Sequence, residues 1–262
     1  MKVSVIVSYY KNLENLKLIL FGFNRQSSMD FEVIIYDDDN NEETREFLET
    51  SKGDYSFPIQ HVHQAVNDGF RKNEMLNKSI QIACGNLLVF IDGDCVPHSR
   101  FVECYIKEDE PGTILSGRRV NLGEAISKEL LASMDFSSLT FLKLKRTDSY
   151  KVKESIYFPF FHLSTKLRGL MGCNWGVRKE YLVQVNGYDE DYKAAGVGED
   201  TDIEWRLEAI GLKKKSMRNK AIIYHIYHPR SYGEDAVAAN FKMMAEKKAQ
   251  NLIVCANGIK KL

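Results

Sequence analysis

The chain has 262 residues, 44% of them hydrophobic and 27% charged, a soluble composition sufficient for one large α/β domain or two small ones. Lys+Arg and Asp+Glu both total 36, so no global field draws nucleic acid and no nucleic-acid partner is expected. Five cysteines, Cys84, Cys95, Cys104, Cys173 and Cys255, are odd in number, widely spaced and lack a C-x-x-C, which fits reduced thiols in a cytoplasmic protein better than a disulfide frame or a zinc site.

"MKVSVIVSYY" runs directly into a strand pattern, so no signal peptide is expected. No apolar run approaches the ~20 residues of a membrane span. Val3 to Val7 reads as the first strand, and Asn12 then caps a helix with Leu13, Leu16, Leu20 and Phe23 on one face. "FEVIIYDDDNNEET" is a second strand ending in three aspartates, and "FPIQHVHQ" a third. Asn67 and Asp68 open a helix with Leu76, Ile80 and Ala83 inward, closed by Gly85. Residues 87 to 91 form the fourth strand. This alternation predicts a mostly parallel, doubly wound sheet flanked by helices.

Farther on, "TILSGRRVNL" reads as one strand, and residues 125 to 170 as mixed helix and loop. "RKEYLVQVNGYDE" is a short helix stopped at Asn186-Gly187. "GEDTDIEWRLEAIG" is a helix with Ile203, Leu207 and Ile210 inward. "AIIYHIYHP" is a strand that puts His225 and His228 on opposite faces. The tail from about Asp235 is an amphipathic helix. One domain is expected, with a nucleotide-binding half (1–98), an acceptor and catalytic half (99–232) and a helical tail (233–262).

Ligands of such sheets bind at the carboxyl ends of the strands. Three polar clusters fall there: Ser8 to Tyr10, Asp37 to Asp39, and Asp92 to Asp94. In "LLVFIDGDCVPH" a buried strand ends in two aspartates whose mutual repulsion calls for a cation or donors. Mg2+ or Mn2+ shared with substrate phosphates would supply one, and Gly93 lets the backbone approach a ligand. Two enzyme classes place D-x-D at a strand end. "DGDCV" satisfies the haloacid-dehalogenase-like phosphatase pattern, in which Asp92 would be phosphorylated. In nucleotide-sugar glycosyltransferases the pair holds a diphosphate through a metal. About 90 residues of nucleotide-binding pattern before the motif favour the second class. A nucleotide-sugar or glycan-binding module without turnover is the non-enzyme alternative.

"VSVIVSYYKN", "EVIIYDDDN", "NDGFRKNEMLNKSI", "GNLLVFIDGDCVPH", "GCNWGVRKEYLVQVNGYDE", "GVGEDTDIEWRL" and "YHIYHP" stand in the order found in GT-A glycosyltransferases. Over about residues 3 to 229 the chain resembles the inverting family with chondroitin-polymerase and galactosyltransferase-like domains. The resemblance implies a GT-A fold and transfer of a hexose or N-acetylhexosamine from a UDP-sugar to a glycan or glycolipid hydroxyl. It places Ser8, Tyr9 and Tyr10 around the nucleobase, Asp38 on the uracil imide and Arg71 near the diphosphate. Asp92 and Asp94 match the ribose and metal pair, and His225 a further metal ligand. Asp200 matches the catalytic base and Glu199 an acceptor contact. Gly172, Cys173, Asn174 and Trp175 would line the sugar pocket, with Trp175 a stacking surface. A carboxylate base at a helix start suits inversion, because it must take a proton from the attacking hydroxyl at neutral pH.

Other features read more simply. His61 and His63 form a polar strand face, "GLKKK" a solvated helix end, and Tyr157, Phe158, Phe160 and Phe161 core or acceptor-lid packing. Phe241, Met244, Leu252 and Ile253 in the tail pack on their own domain, with a peripheral membrane or partner contact as the alternative.

Overall fold

Long apolar runs form the strands that are covered on both faces. The computed structural model describes residues 1–65, 69–161, 167–194, 198–229 and 234–262. Strands β1 (Val3–Tyr9), β2 (Phe31–Asp37), β3 (Ile59–His63) and β4 (Leu87–Asp92) pair in parallel. Helices α1 (Leu13–Phe23), α2 (Glu42–Ser51) and α3 (Lys72–Ile82) connect them. β2 is buried along its whole length and β1 and β4 nearly so, as parallel strands sandwiched between helices must be. Asn12 caps α1 as expected, its side chain accepting from the Asn15 N–H at 3.0 Å.

The second half adds β5 (Cys95–Pro97), α4 (Phe101–Glu108), β6 (Thr113–Ser116), β7 (Arg118–Asn121), α5 (Glu124–Ser133) and α6 (Phe141–Leu144). It continues through β8 (Trp175–Arg178), α7 (Lys179–Gln184), α8 (Asp200–Ala209), β9 (Lys213–Ser216), β10 (Ile222–His225) and α9 (Glu234–Ala249). Among the described residues, a seven-stranded sheet has the order β3-β2-β1-β4-β8-β6-β9, and a three-stranded sheet the order β5-β10-β7. β8 runs antiparallel to β4 and β6, so the large sheet is mostly parallel.

Several expectations need correction. "TILSGRRVNL" makes two strands in two sheets, because the chain bends at Gly117. A Cβ there would meet the Asn174 side chain at 2.2 Å. Gly85 does not close α3, which ends at Ile82; it lies flat on β1, where a Cβ would meet the Ser4 nitrogen at 2.5 Å. Asn67 and Asp68 lie outside the described residues, and the helix they were expected to open begins at Lys72. The lysines of "GLKKK" form edge strand β9 rather than a helix end. Lys214 pairs with Glu204, and Lys215 with Glu108 and Glu110. Phe160 and Phe161 are exposed, so they are not core.

Helix α8 is more deeply embedded than its apolar stripe implies. Ile203 and Leu207 are buried, but so are Asp202 and Arg206, whose Nε–Oδ2 distance is 2.7 Å. Arg206 Nη1 donates to the carbonyls of Val185 and Gly187, at 3.0 and 2.7 Å. Tyr192 and Trp205 donate to Asp202 Oδ1. The pair thereby ties the start of α8 to the turn after α7. Removing one partner of a buried ion pair strands the other charge, so Arg206→Ala should cost about 3–5 kcal/mol of stability in denaturant unfolding. A loss under about 1 kcal/mol would show that the pair does not anchor the helix.

Candidate active site

The register of the parallel strands puts the polar clusters on one edge. Ser8 pairs with Asp92 and Tyr9 with Asp37. The chain adds β2 and β3 on one side of β1 and then returns to place β4 on the other, so the β1–β4 boundary is the switch point where a crevice opens. A cavity of about 630 Å3 lies there, and Ser8, Tyr9, Tyr10, Asp38, Asp92 and Gly93 contribute to its wall. A neighbouring cavity of about 810 Å3 is lined by Gly172, Cys173, Glu199, Asp200, His225 and Phe241, among others. Phe70, Lys72, Asp92, Asp94 and His228 belong to both walls, so the two spaces meet at the D-x-D turn.

Asp38 is oriented before any ligand arrives. The Arg71 backbone N–H donates to its two oxygens at 3.0 and 3.1 Å, and Gln64 Nε2 donates to Oδ1 at 2.7 Å. Burial pushes this carboxyl up, against the pull of those bonds. Tyr9 is buried and donates to or accepts from Thr44 at 3.0 Å, whereas Tyr10 is exposed at the cavity mouth. Gly93 has a different reason from the expected one. Its N–H donates to the Ser8 carbonyl at 2.6 Å, and a Cβ would strike that same oxygen, so the close approach of β1 by itself requires the glycine.

The small sheet brings together groups that could hold a metal ion. β10 pairs antiparallel with β5, setting His225 opposite Cys95, and the Ile226 N–H donates to the Asp94 carbonyl at 2.8 Å. His225 Nε2 lies 3.3 Å from Asp94 Oδ2, and His228 Nε2 lies 3.0 Å from the same oxygen. Strand alternation predicted His228 on the opposite face; the strand ends at His225, so alternation no longer governs the residues beyond it. Asp94, His225 and His228 each offer one ligand atom, all within 4.8 Å of one another. Burial alone would raise the Asp94 carboxyl, but hydrogen bonds from both imidazoles outweigh it and hold it well below the carboxylate range. The bond to Asp94 in turn pushes His228 up to about 9. His228 Nδ1 faces the Pro229 carbonyl at 2.9 Å, which places a proton on Nδ1, so Nε2 would be the nitrogen to exchange its proton for a metal ion. One carboxylate and two imidazoles fit a divalent transition-metal ion better than Mg2+, which prefers oxygen throughout.

A third group compensates the remaining carboxylates. Lys72 Nζ lies 2.6 Å from Glu199 Oε2 and 3.4 Å from Asp92 Oδ1. Burial opposes the Lys72 charge, but Asp92 and Glu199 outweigh it and hold the ammonium well above its ordinary range. The sequence pointed to the preceding cation, Arg71, which lines neither cavity and whose backbone N–H donates to Asp38. The first residue of a helix aimed at the crevice was the available signal, but α3 could not be started correctly from sequence. Asp200 begins α8; its Oδ2 accepts from the Gly172 N–H at 3.1 Å and its Oδ1 from Thr201 at 3.2 Å. Asn73 on α3 donates to the carbonyls of Asp189 and Gly198, fastening the backbone just before Glu199 and Asp200 to the helix that carries Lys72.

Two expected pocket residues are structural. Trp175 is fully buried and stacked on Phe90 with ring centroids 4.6 Å apart, so it offers no surface to a sugar. Asn174 is fully buried, donating to the carbonyls of Arg118 and Ala221 and accepting from Tyr105. Both sit on or beside β8, whose first three residues are buried. The tail helix turns toward the domain, with Val237 and Phe241 in the wall of the larger cavity and Met244 buried with Tyr192. Among the described residues, no helix is long and apolar enough to cross a membrane.

Comparison with known proteins agrees with this geometry. Residues 4–185 match glycosyl transferase family 2, and residues 153–229 match the N-terminal domain of galactosyltransferase. The uncharacterized glycosyltransferase YfnE of Bacillus subtilis (strain 168) is 26% identical over 284 residues, covering 94% of this chain and 70% of that protein. TarS of S. aureus superposes with a TM-score of 0.62 at 16% identity, covering 94% of this chain and 39% of that one. The mannosyltransferase PcManGT of Pyrobaculum calidifontis, solved with GDP-Man and Mn2+, gives 0.63 at 16% identity, covering 95% and 64%. GalNAc-T7, solved with UDP, GalNAc and Mn2+, gives 0.65 at 14% identity, covering 96% and 49%. The chain thus spans less than two thirds of each of these three solved proteins, and the likeness to them is one of GT-A fold. The family match extends over more than half of the sequence, and the chain belongs to glycosyl transferase family 2.

Proposed function

We propose that the protein is an inverting glycosyltransferase using a UDP-sugar and Mn2+, with a glycan or glycolipid hydroxyl as acceptor. One observation carries the reading: Asp38, Asp92, Asp94, Glu199 and Asp200 line two adjoining cavities that share the D-x-D turn. The smaller cavity is assigned to the nucleotide and the larger to the sugar and acceptor. Family membership leaves the phosphatase reading without support.

Each residue then has a role set by its surroundings. The Asp38 carboxylate accepts the imide N–H of uracil, and the Tyr10 ring flanks the base. Asp92 holds a ribose hydroxyl. Asp94, His225 and His228 would hold the metal, which when bound neutralises charge on the departing diphosphate. Lys72 adds a second positive charge on that side. Asp200 takes the proton of the attacking hydroxyl, oriented by the Gly172 N–H and the Thr201 hydroxyl. Glu199, held by Lys72, receives a hydroxyl of the acceptor. A solvated acidic turn would need none of the ion pairs and hydrogen bonds that orient these groups. The reading places the protein in the cytoplasm, where nucleotide sugars serve as donors, and treats donor and acceptor halves as one domain.

Three outcomes are expected. A thermal-shift panel with Mn2+ should rank UDP and UDP-sugars above GDP and CDP, whereas a preference for GDP would remove the uracil assignment of Asp38. Asp200→Asn should keep UDP affinity and lose about 100- to 10,000-fold in transfer rate; unchanged transfer would discard it as the base. Chelator should abolish transfer, with Mn2+ restoring it better than Mg2+, and Asp94→Ala should abolish that rescue. Full activity of Asp94→Ala would refute the metal site.

A further inference from the structure

A third cavity, of about 540 Å3, opens beside the larger one and shares Arg119 and Met171 with it. Six cations line it: Arg118, Arg119, Lys151, Lys153, Arg168 and Arg218. Glu154 is its one acidic lining residue, and it is engaged by Arg218 Nε at 2.8 Å. Among the described residues, no carboxylate lies within ion-pair distance of the other five cations. Elsewhere in this neutral chain, many lysines and arginines pair with Asp or Glu.

Arg118 and Arg119 are held in place without a carboxylate partner among the described residues. Arg118 Nη1 donates to the carbonyls of Gly117 and Gly169, at 2.9 and 3.1 Å. Burial, and after it the like charge of Arg168, pull Arg118 below its ordinary range. Arg119 lies between the two cavities; its Nη1 donates to Cys173 Sγ at 3.7 Å, and its buried Nε has no hydrogen-bond partner. A buried guanidinium nitrogen without an acceptor loses hydration with nothing in return. Met171, in the shared wall, is followed by Gly172, whose N–H holds Asp200. The basic cavity therefore begins within a residue of the group that contacts the proposed base.

We propose that this cavity is an acceptor subsite that binds an oxyanion, so that the acceptor is an anionic saccharide bearing phosphate or carboxylate. Planar guanidinium forks match the paired oxygens of either group, and clustered cations repel one another unless a ligand supplies counter-charge. The diphosphate of the donor has its own partners at Lys72 and the Asp94 cluster, on the far side of the shared wall. The inference rests on assigning the larger cavity to the acceptor.

Calorimetry on the full chain saturated with UDP and Mn2+ tests it, with glucose 6-phosphate, glucuronate and glucose as probes. At least one anionic sugar should bind ten-fold or more tightly than glucose, and the two anionic arms distinguish phosphate from carboxylate. The preference should weaken as salt rises. Arg168→Glu and Lys153→Glu, at exposed positions, should abolish it while leaving UDP affinity unchanged. Equal binding of the three sugars would overturn the inference, as would an anion preference that survives both variants. Parallel loss of UDP affinity in the variants would also overturn it, by assigning the cations to the donor. The initial UDP titration reports on the donor reading separately.

Discussion

Crowding of carboxylates on one sheet edge is the constraint around which this molecule is organised. Asp92, Asp94, Glu199 and Asp200 come from two chain segments distant in sequence and meet where two cavities join. Left uncompensated, they would raise one another's proton affinity and push the segments apart. Lys72 stands between Asp92 and Glu199, and two imidazoles face Asp94. The compensation is local and directional, so it also sets where a cationic or hydroxyl-bearing ligand group can enter.

Much of the surrounding architecture delivers these groups. The parallel register aligns the ends of β1, β2 and β4, and the reversal of strand order opens the crevice beside them. The three-stranded sheet exists on the other flank of the D-x-D turn, where β5 and β10 carry His225 up to Asp94. Two asparagines on α3, Asn73 and Asn77, bond the carbonyls of Tyr188, Asp189 and Gly198, joining the half that holds Lys72 to the half that holds Asp200. The buried Asp202–Arg206 pair then fixes the helix that follows. Stability and site geometry are therefore coupled: weakening either anchor would displace the carboxylates that the cavities share.

Charge is distributed as unevenly as it is balanced. The rim around the D-x-D turn is acidic with inserted cations, whereas the cavity beyond Met171 is strongly basic. A net charge of zero conceals both, because the formal count sums over surfaces that face different ligands. An enzyme joining a diphosphate-bearing donor to a second substrate can use such a division, with each substrate met by its own counter-charges.

From the sequence alone came the parallel α/β sheet, the Asn12 cap, the stop at Asn186-Gly187 and the assignment of Asp38, Asp92, Asp94, Asp200 and His225 to one edge. The sheet, the cap, the stop and the clusters that hold Asp38, Asp92 and Asp94 follow from periodicity, strand polarity and short-range chemistry, which a linear string records, whereas Asp200 and His225 came from resemblance to a family. The turn at Gly117, the role of Gly85 and the edge strand of lysines were not legible, because each depends on which backbone or side chain lies opposite. Trp175 and Asn174 were assigned to the pocket by motif, but burial is a property of all three dimensions, and β8 is covered on both faces. His228 and Lys72 joined the site only when the end of a strand and the start of a helix were placed to within a residue. Tertiary structure decided those points because a side chain's direction turns by about 100° for each residue of helix and reverses for each residue of strand.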